Sequence, residues 1–170
     1  MRLFHVSEDA EIARFEPRPP PSPDAGVEGL AVWAIAESHL ANYLLPRDCP
    51  RICFRAGPGT TEADRGLLNG AKRVIAFEST WLERVKACWL TLYELPTASF
   101  AEAVPQAGYW ISRETVTPVA VRRLDDLLAA IEAQAEVRLL ADFWPLADAV
   151  ARSSLEFSII RKRYAQPRAR

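Results

Sequence analysis

Long apolar runs, histidine and cysteine are what this chain has least of. No stretch approaches the ~18 consecutive apolar residues needed to span a bilayer, which excludes a transmembrane helix from the expected architecture. Only two histidines occur, His5 and His39, so imidazole chemistry has two places to reside. Three cysteines, an odd number without repeated spacing, exclude a disulfide framework and fit a reducing compartment. Neither sign of charge dominates. With 21 basic and 22 acidic side chains the net charge is -1, so no global field draws in nucleic acid or an anionic membrane. A charged ligand must be met locally; nucleic acid and membrane are not expected partners, and the sequence names no protein partner.

Apolar residues make up 49% of the 170, enough for a core, and the length predicts a single domain over residues 1–170. Met1-Arg2 leads directly into an apolar strand rather than a signal peptide, which predicts a cytoplasmic protein. That strand, Leu3-Phe4-His5-Val6-Ser7, organises the rest. Alternation puts Leu3, His5 and Ser7 on one face and Phe4 and Val6 on the other. His5 and Ser7 then offer an imidazole and a hydroxyl to a ligand at the strand's exit, unless His5 is a satisfied core histidine.

Further along, Pro17, Pro19, Pro20, Pro21 and Pro23 forbid a helix and predict an extended surface connection over residues 17–26. Val27 to Ile35 reads as a buried strand carrying Trp33, and Ala36 to Leu45 as a short helix stopped by Pro46, with Tyr43 inward and His39 toward water. Strands are expected over 51–56, 72–77, 88–95, 109–113 and 116–121, with Pro118 marking the last as an edge or bulge. Thr80-Trp81-Leu82-Glu83 matches a capping box. An acid-led helix over 125–131 and a strand over 136–140 follow. From Asp142 the apolar stripe Leu146, Val150, Phe157, Ile160 and Tyr164 predicts one longer C-terminal helix over 142–164, then a solvated tail over 165–170. The fold class is α+β, dominated by short strands.

Several chemistries lack their residues. Cys49 and Cys53 in an extended segment would lie roughly 13 Å apart, so no metal site is expected. No serine sits in a Gly-x-Ser-x-Gly elbow. Arg47, Arg51 and Arg113 could meet a phosphate by paired hydrogen bonds.

The wording Leu-Phe-His-Val-Ser (3–7), Val-Trp-Ala-Ile (32–35) and Leu-Ala-Asn-Tyr (40–43) resembles the ADP-ribosyltransferase-like fold. Its members open on Leu-Tyr/Phe-His-x-Ser/Thr and continue with a Val-Phe/Trp-Ala-Thr strand and a Leu-Ala-x-Tyr helix. The chain also resembles an uncharacterised bacterial family of about this length, through Leu-Phe-His-Val-Ser-Glu-Asp, Tyr-Leu-Leu-Pro-Arg-Asp-Cys-Pro-Arg and Tyr-Trp-Ile-Ser-Arg-Glu. The first resemblance implies mainly antiparallel strands in two small sheets around a cleft. It implies a nucleotide-like small-molecule ligand, NAD among the candidates and then as substrate, met by His5, Ser7, Trp33, Tyr43, Arg47 and Trp110. Where the fold carries its late-strand glutamate this chain has Gly108 or Tyr109, and Glu114 follows several residues later. His5 and Glu114 are therefore the catalytic candidates. Both an enzyme lacking the usual acid and a non-catalytic binding protein remain open, because the oxocarbenium-like centre formed as nicotinamide leaves needs a placed anion.

Overall fold

The computed structural model describes residues 1–20 and 27–168. Of the expected proline-rich connection and tail, residues 21–26 and 169–170 lie outside the described residues. The chain divides into two compact units, Met1–Tyr43 with Trp89–Asp125, and Leu44–Cys88 with Asp126–Arg170.

The first unit is built on a six-stranded antiparallel sheet. Its strands are β1 (Leu3–Ser7), β2 (Val32–Ala36), β5 (Leu90–Leu95), β6 (Phe100–Val104), β7 (Tyr109–Ser112) and β8 (Ala120–Leu124), in the order β6-β7-β2-β1-β5-β8. Alternation supplies its core: Leu3, Val32, Ala34, Ala36, Tyr93, Leu95 and Phe100 share one cluster with Phe15 and Val116. Phe15 reaches it because residues 15 and 116 exchange both backbone hydrogen bonds, at 2.8 and 2.9 Å. Strand β2 starts later than the sequence predicts because Gly29, at φ +73°, breaks the extended backbone. The strand expected over 116–121 moves to Ala120–Leu124. Val116 makes only an isolated bridge to Phe15. Pro118 has no N–H to give, and pairing with β5 begins only at Ala120 opposite Glu94. Strand β8 lies at the sheet's edge, as Pro118 suggested. The segment after β2 is a 3₁₀ helix, Glu37–Tyr43, longer than the three or four residues usual for such helices.

The second unit has a four-stranded sheet, β3 (Arg51–Arg55), β4 (Arg73–Glu78), β9 (Glu136–Leu140) and β10 (Glu156–Ile160), in the order β10-β3-β4-β9. Only the β4–β9 pair is parallel. Among its helices are α1 (Glu62–Arg65), α2 (Leu82–Ala87), α3 (Leu127–Glu132) and α4 (Phe143–Ala151). Phe143, Ala147 and Val150 of α4 cluster with Ile52, Phe54, Val74 and Ala76 of the sheet.

Two helix expectations are corrected here. The capping box does not form: Thr80 lies inside a 3₁₀ turn, Ser79–Trp81, and Trp81, at the helix start, makes no side-chain cap bond. An N-cap needs extended backbone that this turn denies to Thr80. The long C-terminal helix over 142–164 is also absent; α4 ends at Ala151 and the chain returns as β10. Two serines stop it. Ser153 Oγ donates to Val150 O at 2.7 Å and accepts from Leu155 N, while Ser154 Oγ is taken by Asp64. Phe157, Ile159 and Ile160, good strand formers, then pair along β3.

Candidate functional site

In the first unit, β1 and β2 pair only through Leu3↔Ala36 and Phe4↔Ile35. Beyond Phe4 the strands go separate ways: β1 stays on β5 as far as Ser7↔Thr91, and β2 stays on β7 as far as Val32↔Ser112. His5 stands where they part. Its Nδ1 lies 3.3 Å from the carbonyl oxygen of Trp33. A carbonyl only accepts, so Nδ1 carries the proton in this contact and Nε2 is the acceptor of the neutral ring. A side chain thus takes a carbonyl that sheet pairing would otherwise bind.

The residues after β1 fold back over this histidine. Ser7 Oγ accepts from Asp9 N at 3.0 Å and Asp9 Oδ1 from Glu11 N at 2.9 Å, two local turns that reverse the chain. Tyr93 fastens the reversal, its hydroxyl donating to Asp9 O at 2.7 Å and accepting from Ile12 N at 3.1 Å. Phe15 then packs 4.7 Å from the His5 ring and 5.3 Å from the Tyr93 ring. The expected alternation of β1 holds, with His5 and Ser7 on the Leu3 face, and the imidazole is half-buried there.

The sheet divides the other expected residues between its faces. Trp110 lies opposite Ala34 and packs against the Leu3 cluster, so it shares the face of His5. Trp33 alternates with Val32 and Ala34 and projects to the other face. There it meets Tyr109 edge to face, with centroids 5.6 Å apart and planes at 89°. Tyr43, at the end of the 3₁₀ helix, donates its hydroxyl proton to the Tyr109 hydroxyl at 2.7 Å. The indole Nε1 atoms of both Trp33 and Trp110 are buried without a hydrogen-bond partner. Such orphaned donors are uncommon, because desolvating an unmet N–H costs roughly 1–3 kcal/mol.

The remaining residues make backbone contacts within their own units. Glu114 is exposed, two residues past the end of β7, its N–H bound to Ser112 Oγ at 3.1 Å. Arg113 donates to Leu30 O at 2.7 Å. Arg47 and Arg51 belong to the second unit, where buried Arg51 donates to Leu45 O and Arg47 O. His39 does not simply face water: it is half-buried, and its ring lies against the bare Cα of Gly108. Tyr109 is the residue that sequence reasoning missed. Its signal was present in the Tyr-Trp-Ile-Ser phrase, where it stood out only as the place of a missing acid.

Chemistry other than binding has less to work with. Burial pushes the Cys49 and Cys53 thiols up to about 12, so both stay protonated and unreactive at neutral pH. Among the described residues no group of three or more His, Cys, Asp or Glu could hold a metal ion. Nor, among them, is any helix long and apolar enough to cross a membrane.

A model of a family of unknown function, DUF6886, matches residues 4–165. No curated protein and no solved structure matches the chain.

Proposed function

Because the chain belongs to the DUF6886 family, whose description assigns no activity, its function has to come from its own residues, and we propose that the first unit binds a nucleotide-like small molecule, with NAD the ligand to test first. The reading takes the arrangement as ADP-ribosyltransferase-like, in keeping with the phrases around His5, Trp33 and Tyr43 and with mostly antiparallel strands. One observation carries it: β1 and β2 part at His5, and Trp110 on the His5 face and Trp33 on the opposite face each hold a buried indole N–H with no partner. Carbonyl, hydroxyl or phosphate oxygens of a nucleotide are the acceptors such donors lack. Half-buried Trp33, Tyr43 and Tyr109 offer ring surface on which a base can stack.

Binding without turnover is the better supported of the two modes. Glu114 is exposed beyond the last residue of β7, and Gly108 and Tyr109 stand where an acid would steady an oxocarbenium-like centre.

The test is thermal unfolding with and without millimolar NAD. At ~100 times its dissociation constant a ligand adds ~2.7 kcal/mol, or roughly 5–10 °C for a chain of this length. The shift is expected in the native chain and absent in His5→Ala. Trp33→Phe, which keeps a ring and deletes only the N–H, should retain part of it. A native chain that does not shift with NAD, ADP-ribose or AMP refutes the reading, and nicotinamide release under the same conditions would assign turnover instead.

A further inference from the structure

The C-terminal segment of the second unit lies along α4 in a way that reads as a ligand in its receptor. After β10, Arg161 adopts φ +57° and a 3₁₀ turn, Lys162–Tyr164, brings the chain round. Ala165 leaves the turn extended, at φ -63° and ψ 151°. Gln166 is then bound through both backbone groups. Its N–H donates to Glu78 Oε1 at 3.0 Å, and its carbonyl accepts from Trp144 Nε1 at 2.7 Å. Pro167 fixes its own φ and biases Gln166 before it to extended backbone. Arg168 then meets Asp148 with both guanidinium nitrogens, Nη1 to Oδ2 at 2.7 Å and Nη2 to Oδ1 at 2.9 Å. The same guanidinium lies 4.4 Å from the Trp144 ring centroid.

Each receptor group is prepared for this task. Trp144 and Asp148 are four residues apart and share one face of α4. The indole is braced edge to face by Phe143 at 5.5 Å, and the backbone N–H of Trp144 donates to Asp142 Oδ1. A carboxylate fork with an aromatic face is the combination that distinguishes a guanidinium from an ammonium. No side chain of residues 165–167 is used in these hydrogen bonds, so any extended chain carrying arginine two residues after the bound backbone would meet the same groups.

Two further observations point to an exchangeable occupant. Arg168 and Asp148 are 57% and 36% exposed, and exposed ion pairs add little stability, so this pair opens at small cost and leaves the segment held by the two backbone hydrogen bonds of Gln166. Glu78 is only 2% exposed, and its second carboxylate oxygen, Oε2, is buried without a partner. The chain's own segment therefore leaves this acceptor half used. An occupant with a second donor at that position would bind better.

We propose that Trp144, Asp148 and Glu78 form a binding site for an extended, arginine-bearing peptide segment of a partner protein, held shut by the chain's own Gln166-Pro167-Arg168 until that segment displaces it. The site lies wholly within the second unit and does not rest on nucleotide binding by the first.

The probe is the acetylated, amidated peptide Tyr-Ala-Gln-Pro-Arg, titrated by calorimetry into the full chain and into its Arg168→Ala variant, with the Trp144 indole N–H resonance followed in parallel. Arg168→Ala should bind it at least ~10-fold more tightly than the native chain, whose tethered segment competes at high effective concentration. Replacing the peptide's arginine by citrulline, a neutral near-isostere, should weaken binding at least ~10-fold. Adding Asp148→Asn to Arg168→Ala should do the same; if that double variant does not fold, the citrulline comparison carries the result alone. Equal binding of the arginine and citrulline peptides, or no binding to Arg168→Ala, overturns the site. Equal affinity for the native chain and Arg168→Ala overturns the masking.

Discussion

Gly108 supports the His39 ring. A β-carbon built at this glycine would fall inside van der Waals contact of His39 Cβ, Cγ and Nδ1, and the glycine itself sits at φ +67°. Its carbonyl accepts the Ala36 N–H at 2.9 Å, which ties the start of β7 to the end of β2. Close approach and left-handed backbone both require glycine here.

Gly108→Ala is therefore expected to destabilise the first unit by about 2–4 kcal/mol, combining the left-handed penalty with the displaced ring. Denaturant unfolding measures the loss. Adding His39→Ala should recover the steric cost set by the ring atoms and leave the β-carbon contact and the backbone part, whereas a double variant no more stable than Gly108→Ala would show that the His39 ring does not set the cost.

Tyr93 is 1% exposed, and its hydroxyl is the fastening between β5 and the turn that carries Phe15 over His5. Tyr93→Phe keeps the ring packing and strands Asp9 O and Ile12 N. The expected cost is about 1–3 kcal/mol, together with faster amide exchange at Ile12. Unchanged exchange there would mean that Phe15 packing holds the segment without the hydroxyl.

Asp64 contributes to the acid response of the second unit. Its carboxylate accepts from Ser154 Oγ, Ser154 N and Thr61 Oγ1, and these hydrogen bonds, those of Ser154 foremost, hold its pKa below the usual aspartate value. A depressed folded pKa contributes stability that is complete above the unfolded value, ~3.9, and lost as pH falls through the lower folded value. The denaturation midpoint of the native chain should thus exceed that of Asp64→Asn at pH 6, and the difference should shrink as the pH falls below ~4. A constant difference down to pH 2 would show that the carboxylate's charge is not what matters.

Much of the fold was legible because local chemistry repeats along it. Short apolar, strand-forming runs located β1, β4, β7 and β9 within a residue or two, and the alternation that puts Leu3, His5 and Ser7 on one face survives intact. Strand β6 escaped notice because Phe100-Ala-Glu-Ala-Val has one large apolar residue and a weak alternation. The C-terminal stripe misled for the opposite reason: Leu146 and Val150 do belong to α4, but Phe157 and Ile160 repeat at the same spacing in a strand. Periodicity cannot show that Asp64, ninety positions away in sequence, takes Ser154 and ends the helix there.

The candidate site follows the same division. Local alternation drew attention to His5 and Ser7, whereas Trp33, Tyr43 and Trp110 entered only through the resemblance of the phrases that carry them. Which of them share a face depended on strand partners. Trp33 and Trp110 are separated by the pairing of β2 with β7, and His5 meets the Trp33 carbonyl because β1 leaves β2 after two pairs. Register, the parting of strands and the return of a chain end onto a helix are agreements between distant segments, and a linear pattern carries only one side of each.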